Sequence, residues 1–260
     1  MAGPLTLPEE FALLSLADTG KTIDSDQARA GCNVAEVGEL ALRGKLLLRH
    51  RRNTTFYVNG LRWNADVIEV VDRTPVGLAW ADELLAVLAK EPEAAAERKL
   101  LLRRYRRRNA FHWHRDALVA QGLVRHVPRR GLFRRARYIP DPTVRNRLIE
   151  EVRLATEILR DTGGGRRLDV HTKFLSDMVI RGELAKDLGV VKGRGWRVNV
   201  MFLDGLLDRE LWSARRRARN RAAGVGALDS VPEPLRYTSE ALADLVPKRS
   251  RNRGEAADGD

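Results

Sequence analysis

The fold is decided at residues 26–48, DQARAGCNVAEVGELALRGKLLL, where a helical pattern changes into a strand pattern. A helix is predicted from Asp26 to Arg43, because its apolar residues recur every three or four positions and share one face: Val34, Val37, Leu40 and Ala41. Gly44 is the expected C-terminal stop of that helix. The apolar run Lys45–Leu48 that follows favours a strand. The chain therefore joins a core helix directly to a core strand.

The rest of the chain is mostly helical in pattern. A capping box at Thr6 and Glu9 predicts a first helix, and further helices are expected at Ala79–Ala89, from near Arg107 or Asn109 to Gly122, and at Val144–Arg160, Asp169–Ile180 and Val198–Ala222. Strands are predicted at Thr55–Val58 and Val67–Val71, and a hairpin at Leu123–Val127 and Leu132–Ile139. The expected fold class is mainly α: one compact helical domain, residues 1–223, with a small β element and a protruding basic β-hairpin. Residues 224–260 are assigned to a C-terminal extension with a disordered end.

Composition limits the class of protein. The chain has 260 residues, is 43% hydrophobic and contains one cysteine, Cys32. A single cysteine excludes an internal disulfide framework and fits a reducing cytoplasm, where Cys32 is expected to be a buried apolar residue. We find no signal peptide pattern and no apolar run long enough to span a bilayer. The predicted location is cytoplasmic, with any membrane contact made peripherally at the inner face.

Positive charge is concentrated in one segment. Between Arg98 and Arg137 there are 14 lysine and arginine residues and one acid, Asp116, a net charge of +13 against +12 for the whole chain. Large apolar residues such as Phe111 and Trp113 are interleaved with the charge, so the segment is expected to fold. Basic charge on a foldable scaffold predicts a surface for polyanions, either phospholipid headgroups or nucleic-acid phosphates.

The helical part of this segment places its arginines close to one face. Arg104, Arg108 and Arg115 are spaced i, i+4 and i+11, with Phe111 at i+7. We find no Ser/His/Asp group, glycine-rich nucleotide loop or paired carboxylates. His112 and His114 point in different directions on a helix and cannot share a metal. No catalytic residue, metal or cofactor is therefore predicted.

The hairpin tip predicts insertion into a membrane. Two large apolar residues, Leu132 and Phe133, stand between arginines that include Arg130 and Arg134. Burying two such side chains is worth roughly 3–5 kcal/mol, and each basic residue near an anionic surface adds about 1 kcal/mol. The alternative is that the two apolar residues fold back onto the core or make a subunit contact. The open hairpin edges also allow self-association.

Three blocks of the chain resemble the Golgi phosphoprotein 3 family. They are Leu5–Glu10, Glu39–Leu46 and Ala117–Val124 with the hairpin after it, and the likeness runs in order from about residue 5 to residue 215. The arginine-rich composition is typical of an actinobacterial, and hence bacterial, member. The resemblance implies a mostly helical domain, peripheral membrane association without catalysis, binding of phosphatidylinositol 4-phosphate, and protein cargo as a partner.

The resemblance also implies where a headgroup would bind. The family's tryptophan position corresponds here to Asp24, its first arginine position to Asn33, and its two helical arginines to Arg108 and Phe111. Only Arg108 keeps the family's residue type. Together with Asn33, it forms the expected headgroup site, with charge supplied nearby by Arg29, Arg104 and Arg115. Binding to anionic lipid is expected to survive these differences. They count against specific recognition of the 4-phosphate.

Two other functions fit the same residues. A basic helix that ends at Gly122 and is followed by an arginine-rich hairpin also matches a DNA-binding winged helix. The apolar tip suits acyl chains better than a phosphate backbone, and Asn109 alone offers little toward base edges. The remaining hypothesis is an adaptor whose basic surface docks an acidic protein partner.

Overall fold

The first two helices begin where the local sequence supplies capping groups. The Glu9 carboxylate accepts hydrogen bonds of 2.8 Å from the backbone N–H and the hydroxyl of Thr6, which confirms the predicted capping box. The Asp24 carboxylate accepts from the backbone N–H groups of Asp26 and Gln27 at 3.0 Å. The second helix ends just before Gly44, as its sequence predicts.

The computed structural model describes residues 4–58, 61–90, 109–128, 136–160, 167–190 and 231–246, without the side chains of residues 50–66, 159 and 160. Within these ranges there are eight helices: α1 (Leu7–Leu14), α2 (Ser25–Leu42), α3 (Ala79–Lys90), α4 (Ala110–Ala120), α5 (Pro142–Arg160), α6 (Val170–Arg181), α7 (Leu184–Asp187) and α8 (Glu233–Ala243). The strands are β1 (Leu46–Val58), β2 (Leu61–Val70), β3 (Val124–Val127) and β4 (Arg137–Pro140). The mainly α fold class is confirmed.

The strands form two separate antiparallel pairs. β1 and β2 make one hairpin whose register runs from Leu46 opposite Val70 to Val58 opposite Leu61, with a shift between His50 and Thr55. The three short strands predicted in this region are therefore parts of one longer ribbon: Lys45–Leu48 and Thr55–Val58 fall in β1, and Val67–Val71 falls at the end of β2. β3 pairs with β4, with Val124 opposite Pro140.

The core is built around α2. All its residues from Gly31 to Ala41 are buried, and α1, α4, α6 and α8 contact it from different sides. Cys32 is fully buried, as predicted, and burial raises the pKa of its thiol, followed by a smaller effect of Glu36. Because α2 is buried on all sides along this stretch, its buried residues are more numerous than the four that the periodicity placed on one face.

Residues 233–243, within the predicted C-terminal extension, contribute α8 to this core. Leu242 and Ala243 are fully buried, and the Thr238 hydroxyl accepts a 3.0 Å hydrogen bond from the backbone N–H of Leu48 in β1. The Ser239 hydroxyl donates to the Asp177 carboxylate of α6 at 2.7 Å. The domain boundary at residue 223 stays a prediction, but part of the extension packs with the domain.

Several other predictions fall outside the described residues: the turn at Asn59-Gly60, the helix at Val198–Ala222, and the end of the C-terminal extension.

Candidate functional site

Helix α4 is the described helical part of the basic segment. Its inner face packs against α1 and α2 and buries Ala110, Phe111, His114 and Leu118. Its outer face exposes Trp113, Asp116 and Ala120. The helix begins after Asn109 and ends before Gly122, as predicted. Phe111, which the spacing places on the arginine face, is 2% exposed, so that side of the helix turns toward the core.

Two of the predicted arginines, on different helices, influence the pKa of His112. Burial lowers the pKa of His112 below its ordinary value, and the positive charges of Arg115 on the same helix and Arg29 on α2 lower it further. Asp116 offsets part of this effect. Arg115 of α4 and Arg29 of α2 therefore both act on the charge of His112. The tertiary structure thus joins α2 and α4 in one cationic cluster, which we define as Arg29, His112 and Arg115.

Within this cluster the guanidinium of Arg115 makes several contacts with neighbouring side chains. Its guanidinium carbon lies 3.6 Å from the ring centre of Tyr138 on β4 and 5.9 Å from that of Phe111. Two hydrogen bonds, of 3.0 and 2.7 Å, join it to the Asp116 carboxylate, and 12% of its side chain is exposed. His126 stacks on the same tyrosine at 4.8 Å. Arg115 therefore links α4 to the hairpin, and the cluster's accessible positive charge falls mainly to Arg29.

Asn33 lies beneath the cluster rather than on its surface. It is 1% exposed, and its amide donates a 2.8 Å hydrogen bond to the carbonyl of Arg29, one turn earlier in α2. Its Oδ1 atom has no hydrogen-bond partner among the described residues. A headgroup at the surface does not reach an amide at this depth. Asn33 is thus placed to support the backbone at Arg29, and Asp24, at the family's tryptophan position, is used in capping α2.

The hairpin is anchored beside this cluster at its base. The backbone N–H of Tyr138 donates a 2.9 Å hydrogen bond to the carbonyl of Gly20, in the turn between α1 and α2. Gly20 has a φ of +77°, and a Cβ atom there would lie 2.9 Å from Ile139, so only glycine fits this contact without rearrangement. The remaining predicted site residues lie outside the described residues and stay predictions: Arg104, Arg108, Arg130, Leu132, Phe133 and Arg134.

A buried contact between a histidine and a carboxylate was not predicted. The Nε2 atom of His114 lies 3.0 Å from a carboxylate oxygen of Glu36, and both side chains are almost fully buried. The ring of Trp80 meets the imidazole edge-on at 5.3 Å. Of the two histidines that cannot share a metal, His112 is partly exposed and His114 is buried. The sequence signal for this contact was weak: Glu36 is one of two acids, with Glu39, in the mostly apolar stretch Gly31–Ala41 of α2.

Another concave region has no net charge. A groove of about 670 Å³ lies between the α1–α2 turn and the start of α5, and its charged lining residues are Asp18, Lys21, Arg145 and Asp187. Its acids and bases balance, whereas the cationic cluster has an excess of positive charge. In the described part of the chain, no three His, Cys, Asp or Glu side chains are grouped as metal ligands. The cluster is therefore the better candidate for binding an anion.

Comparison with known proteins bears on the whole chain. Among the described helices, none is both long and apolar enough to cross a bilayer. A family model described as Golgi phosphoprotein 3 (GPP34) matches residues 7–242. No curated protein matches the sequence significantly. The family match covers α1 through nearly all of α8, a longer stretch than the sequence blocks that first indicated the resemblance.

Proposed function

The chain belongs to the Golgi phosphoprotein 3 family, and from this premise we propose that it is a peripheral membrane protein that binds anionic phospholipid headgroups. Binding uses the basic helix and the apolar-tipped hairpin and involves no catalysis. The protein acts in the cytoplasm, at the inner face of the membrane. Protein cargo and self-association through the hairpin are further parts of this proposal.

The observation that carries the proposal is the position of Arg115, whose guanidinium carbon lies 3.6 Å from the ring centre of Tyr138 at the base of the hairpin and which, like Arg29 of α2, acts electrostatically on His112. The surrounding segment Arg98–Arg137 carries a net charge of +13, and because like charges in one segment cost folding free energy, a bound anion would offset that cost. A phosphate at the cluster would lie beside the base of the hairpin whose tip is expected to enter the bilayer. Headgroup binding and apolar insertion would thus reinforce each other.

The contacts around the cluster favour charge-driven binding over recognition of one headgroup. At the family's headgroup positions, Asp24 caps α2, Asn33 is buried, and Phe111 packs in the core. Arg108 is the one position that keeps the family's residue type. We therefore propose that several anionic lipids bind, and that phosphatidylinositol 4-phosphate has no large advantage at equal charge.

DNA binding by a winged helix is the weaker candidate. The order of α4, β3 and β4 matches a recognition helix followed by a wing. The exposed residues of α4 are Trp113, Asp116 and Ala120, which include an acid and no arginine. A helix that reads bases presents hydrogen-bonding side chains such as Arg, Asn or Gln on its outer face. In its described length, α4 does not do so.

The direct test is co-sedimentation with vesicles. Phosphatidylinositol 4-phosphate and other anionic lipids are compared at constant total charge, with neutral vesicles and competing duplex DNA as controls. We expect binding to follow total negative charge. Binding that follows the 4-phosphate alone would show that the family's headgroup specificity is retained. Absence of lipid binding together with tight DNA binding would overturn the proposal in favour of the winged helix.

Reversal of charge at the cluster tests its role. Arg29→Glu should weaken binding to anionic vesicles about tenfold, since each basic residue near such a surface contributes about 1 kcal/mol. The matched control is Arg73→Glu, which changes an exposed arginine in the loop after β2. Both variants have the same net charge. An equal loss of vesicle binding in the two variants would mean that binding depends on the net charge of the protein and not on the cluster.

The hairpin tip is tested separately. Leu132→Asp combined with Phe133→Asp should weaken vesicle binding by at least a hundredfold, because about 3 kcal/mol or more of apolar burial is lost. The thermal unfolding temperature should change little. Unaltered sedimentation of this variant with anionic vesicles would show that the tip does not insert.

A further inference from the structure

The groove between the α1–α2 turn and α5 has hydrogen-bonding capacity that the fold does not use. Asp18 and Lys21 belong to the same turn, and both line the groove. The Asp18 carboxylate pairs with Arg145 through one oxygen, at 2.8 Å, while 81% of its side chain is exposed. The Lys21 ammonium is exposed and has no ion-pair or hydrogen-bond partner in the described part of the chain. An acid and a base are therefore both available to a ligand in one groove.

Arg145 supplies a buried cation to the same groove. It is 5% exposed, and its Nε and Nη1 atoms donate 2.8 Å hydrogen bonds to the Leu16 carbonyl and to Asp18. Its Nη2 atom has no hydrogen-bond partner among the described residues. The two bonds fix the guanidinium in place, so its third nitrogen is positioned to donate to a bound anionic group. Ile149 adds an apolar part to the lining.

The lining indicates a ligand that carries charges of both signs. Lys21 and Arg145 are balanced by Asp18 and Asp187, so the groove has no net charge to attract a simple anion. A volume of about 670 Å³ is typical of sites that hold a whole small molecule. Among the described lining residues none is aromatic, whereas quaternary ammonium groups are bound by aromatic rings. A zwitterion with a primary ammonium, which has N–H donors for a carboxylate, therefore fits better than one with choline.

The place of the groove in the fold favours a lipid headgroup as the source of this zwitterion. The turn that carries Asp18 and Lys21 also accepts, at the Gly20 carbonyl, a 2.9 Å hydrogen bond from the backbone N–H of Tyr138 at the base of the hairpin. The opposite wall is α5, which begins at Pro142, two residues after the end of β4. Both walls thus adjoin the hairpin base. With the hairpin tip in a bilayer, this base would lie near the headgroups.

We propose that this groove binds the headgroup of phosphatidylethanolamine, a lipid without net charge, whose phosphate accepts from Lys21 and Arg145 and whose ammonium donates to Asp18. This inference rests on the proposed function, because the protein meets the headgroup at a membrane surface. It adds a binding site of a second kind. The cationic cluster responds to the total negative charge of the bilayer, whereas the groove responds to the identity of a neutral lipid.

The test uses the full chain and two kinds of vesicle with the same share of phosphatidylglycerol, in which the neutral lipid is either phosphatidylcholine or phosphatidylethanolamine. The wild type should bind the second kind about tenfold more tightly, since hydrogen bonds between charged groups are the strong ones. Lys21→Gln and Asp18→Asn should each lose this preference. The matched controls are Lys90→Gln on α3 and Glu157→Gln on α5, which make the same charge changes at exposed residues outside the groove and should keep it. Thermal unfolding of each variant shows whether the fold is kept.

Several outcomes would overturn the inference while leaving the proposed function standing. One is equal binding of the wild type to both kinds of vesicle, with binding to phosphatidylglycerol intact. Another is a preference for phosphatidylethanolamine that Lys21→Gln and Asp18→Asn both keep, because the preference would then come from the packing of the bilayer.

Soluble glycerophosphoethanolamine gives a second readout that needs no membrane. It should raise the thermal unfolding temperature of the wild type and not that of Lys21→Gln. No rise in either protein would overturn the assigned headgroup contacts. A rise in the wild type without binding to any vesicle would overturn the proposed function, and with it the lipid as the source of the headgroup.

Discussion

At the scale of single residues, the core buries several ionisable side chains, each with a partner. Lys173 is 2% exposed, and its ammonium lies 2.5 Å from the Asp177 carboxylate, which also accepts from Ser239. Burial acts to raise the pKa of Asp177, but Lys173 and Ser239 lower it by more. Removal of one member of such a pair leaves a charge in a medium that solvates it poorly. These contacts therefore fix the position of α8 relative to α6.

His171 makes stability depend on pH. Burial lowers its pKa, but the contact of its Nε2 with the Glu10 carboxylate at 2.6 Å, together with Glu39 and Asp169, raises the pKa above its ordinary value. A histidine whose pKa is raised by folding stabilises the native state fully below its unfolded pKa of about 6.5 and loses this contribution as pH rises through the folded value.

The prediction is that His171→Gln lowers the free energy of unfolding more at about pH 6 than at about pH 9. Urea unfolding of both proteins across this range measures the difference. His126→Gln, at an exposed histidine of β3, is the control for the loss of a histidine as such. A difference between wild type and His171→Gln that stays constant with pH would contradict the assigned ion pair.

At the scale of elements, glycines in α2 let its neighbours approach closely. A Cβ atom at Gly31 would lie 2.1 Å from the ring of Phe11 in α1, and one at Gly38 would lie 2.7 Å from Leu7. Both distances are far below van der Waals contact. The crossing of α1 over α2 therefore depends on the missing side chain at Gly31.

Gly31→Ala should consequently destabilise the protein by about 1–3 kcal/mol, a cost typical of overpacking in a core. Phe11→Leu removes the ring atoms that would clash, while creating a cavity of its own. The double variant should thus be less destabilised than the sum of the two single variants. Chemical denaturation of all four proteins completes the cycle, and simple additivity would show that α1 shifts freely to accommodate the methyl group.

At the scale of the whole molecule, α8 closes the core from a distant part of the chain. It packs on α2, α6 and β1, and covers the Lys173–Asp177 pair through Ser239. Without α8, the apolar face of α2 and this ion pair would both be exposed to solvent. The C-terminal segment is therefore needed for the helical domain, whatever its role in binding.

A chain ending at residue 223 should fail to fold cooperatively, whereas one ending at residue 246 should unfold near the temperature of the full chain. Circular dichroism during heating compares the three proteins. Cooperative unfolding of the shorter chain at an unchanged temperature would show that residues 1–223 form an independent domain.

Much of the architecture followed from the sequence by itself. The ends of α2 and α4, the capping box of α1, the pairing of β3 with β4 and the mainly α class all depend on short-range patterns. Hydrogen bonds to nearby N–H groups, a glycine after a helix and the period of apolar residues act within a few residues. They hold in almost any tertiary setting. The family also followed, from blocks of sequence in a fixed order, and the family model confirms it.

Only the tertiary structure decided which polar residues face solvent. Spacing placed Phe111 among the arginines of α4, yet packing against α1 and α2 turned it inward, and Asn33 was buried by the same contacts. Arginine is ambiguous in a sequence because its long apolar stem can pack while its charge finds a partner. Arg145, 5% exposed and bonded to the Leu16 carbonyl and Asp18, and Arg115, stacked on Tyr138, both do so. Burial depends on contacts between distant segments, which no local pattern encodes.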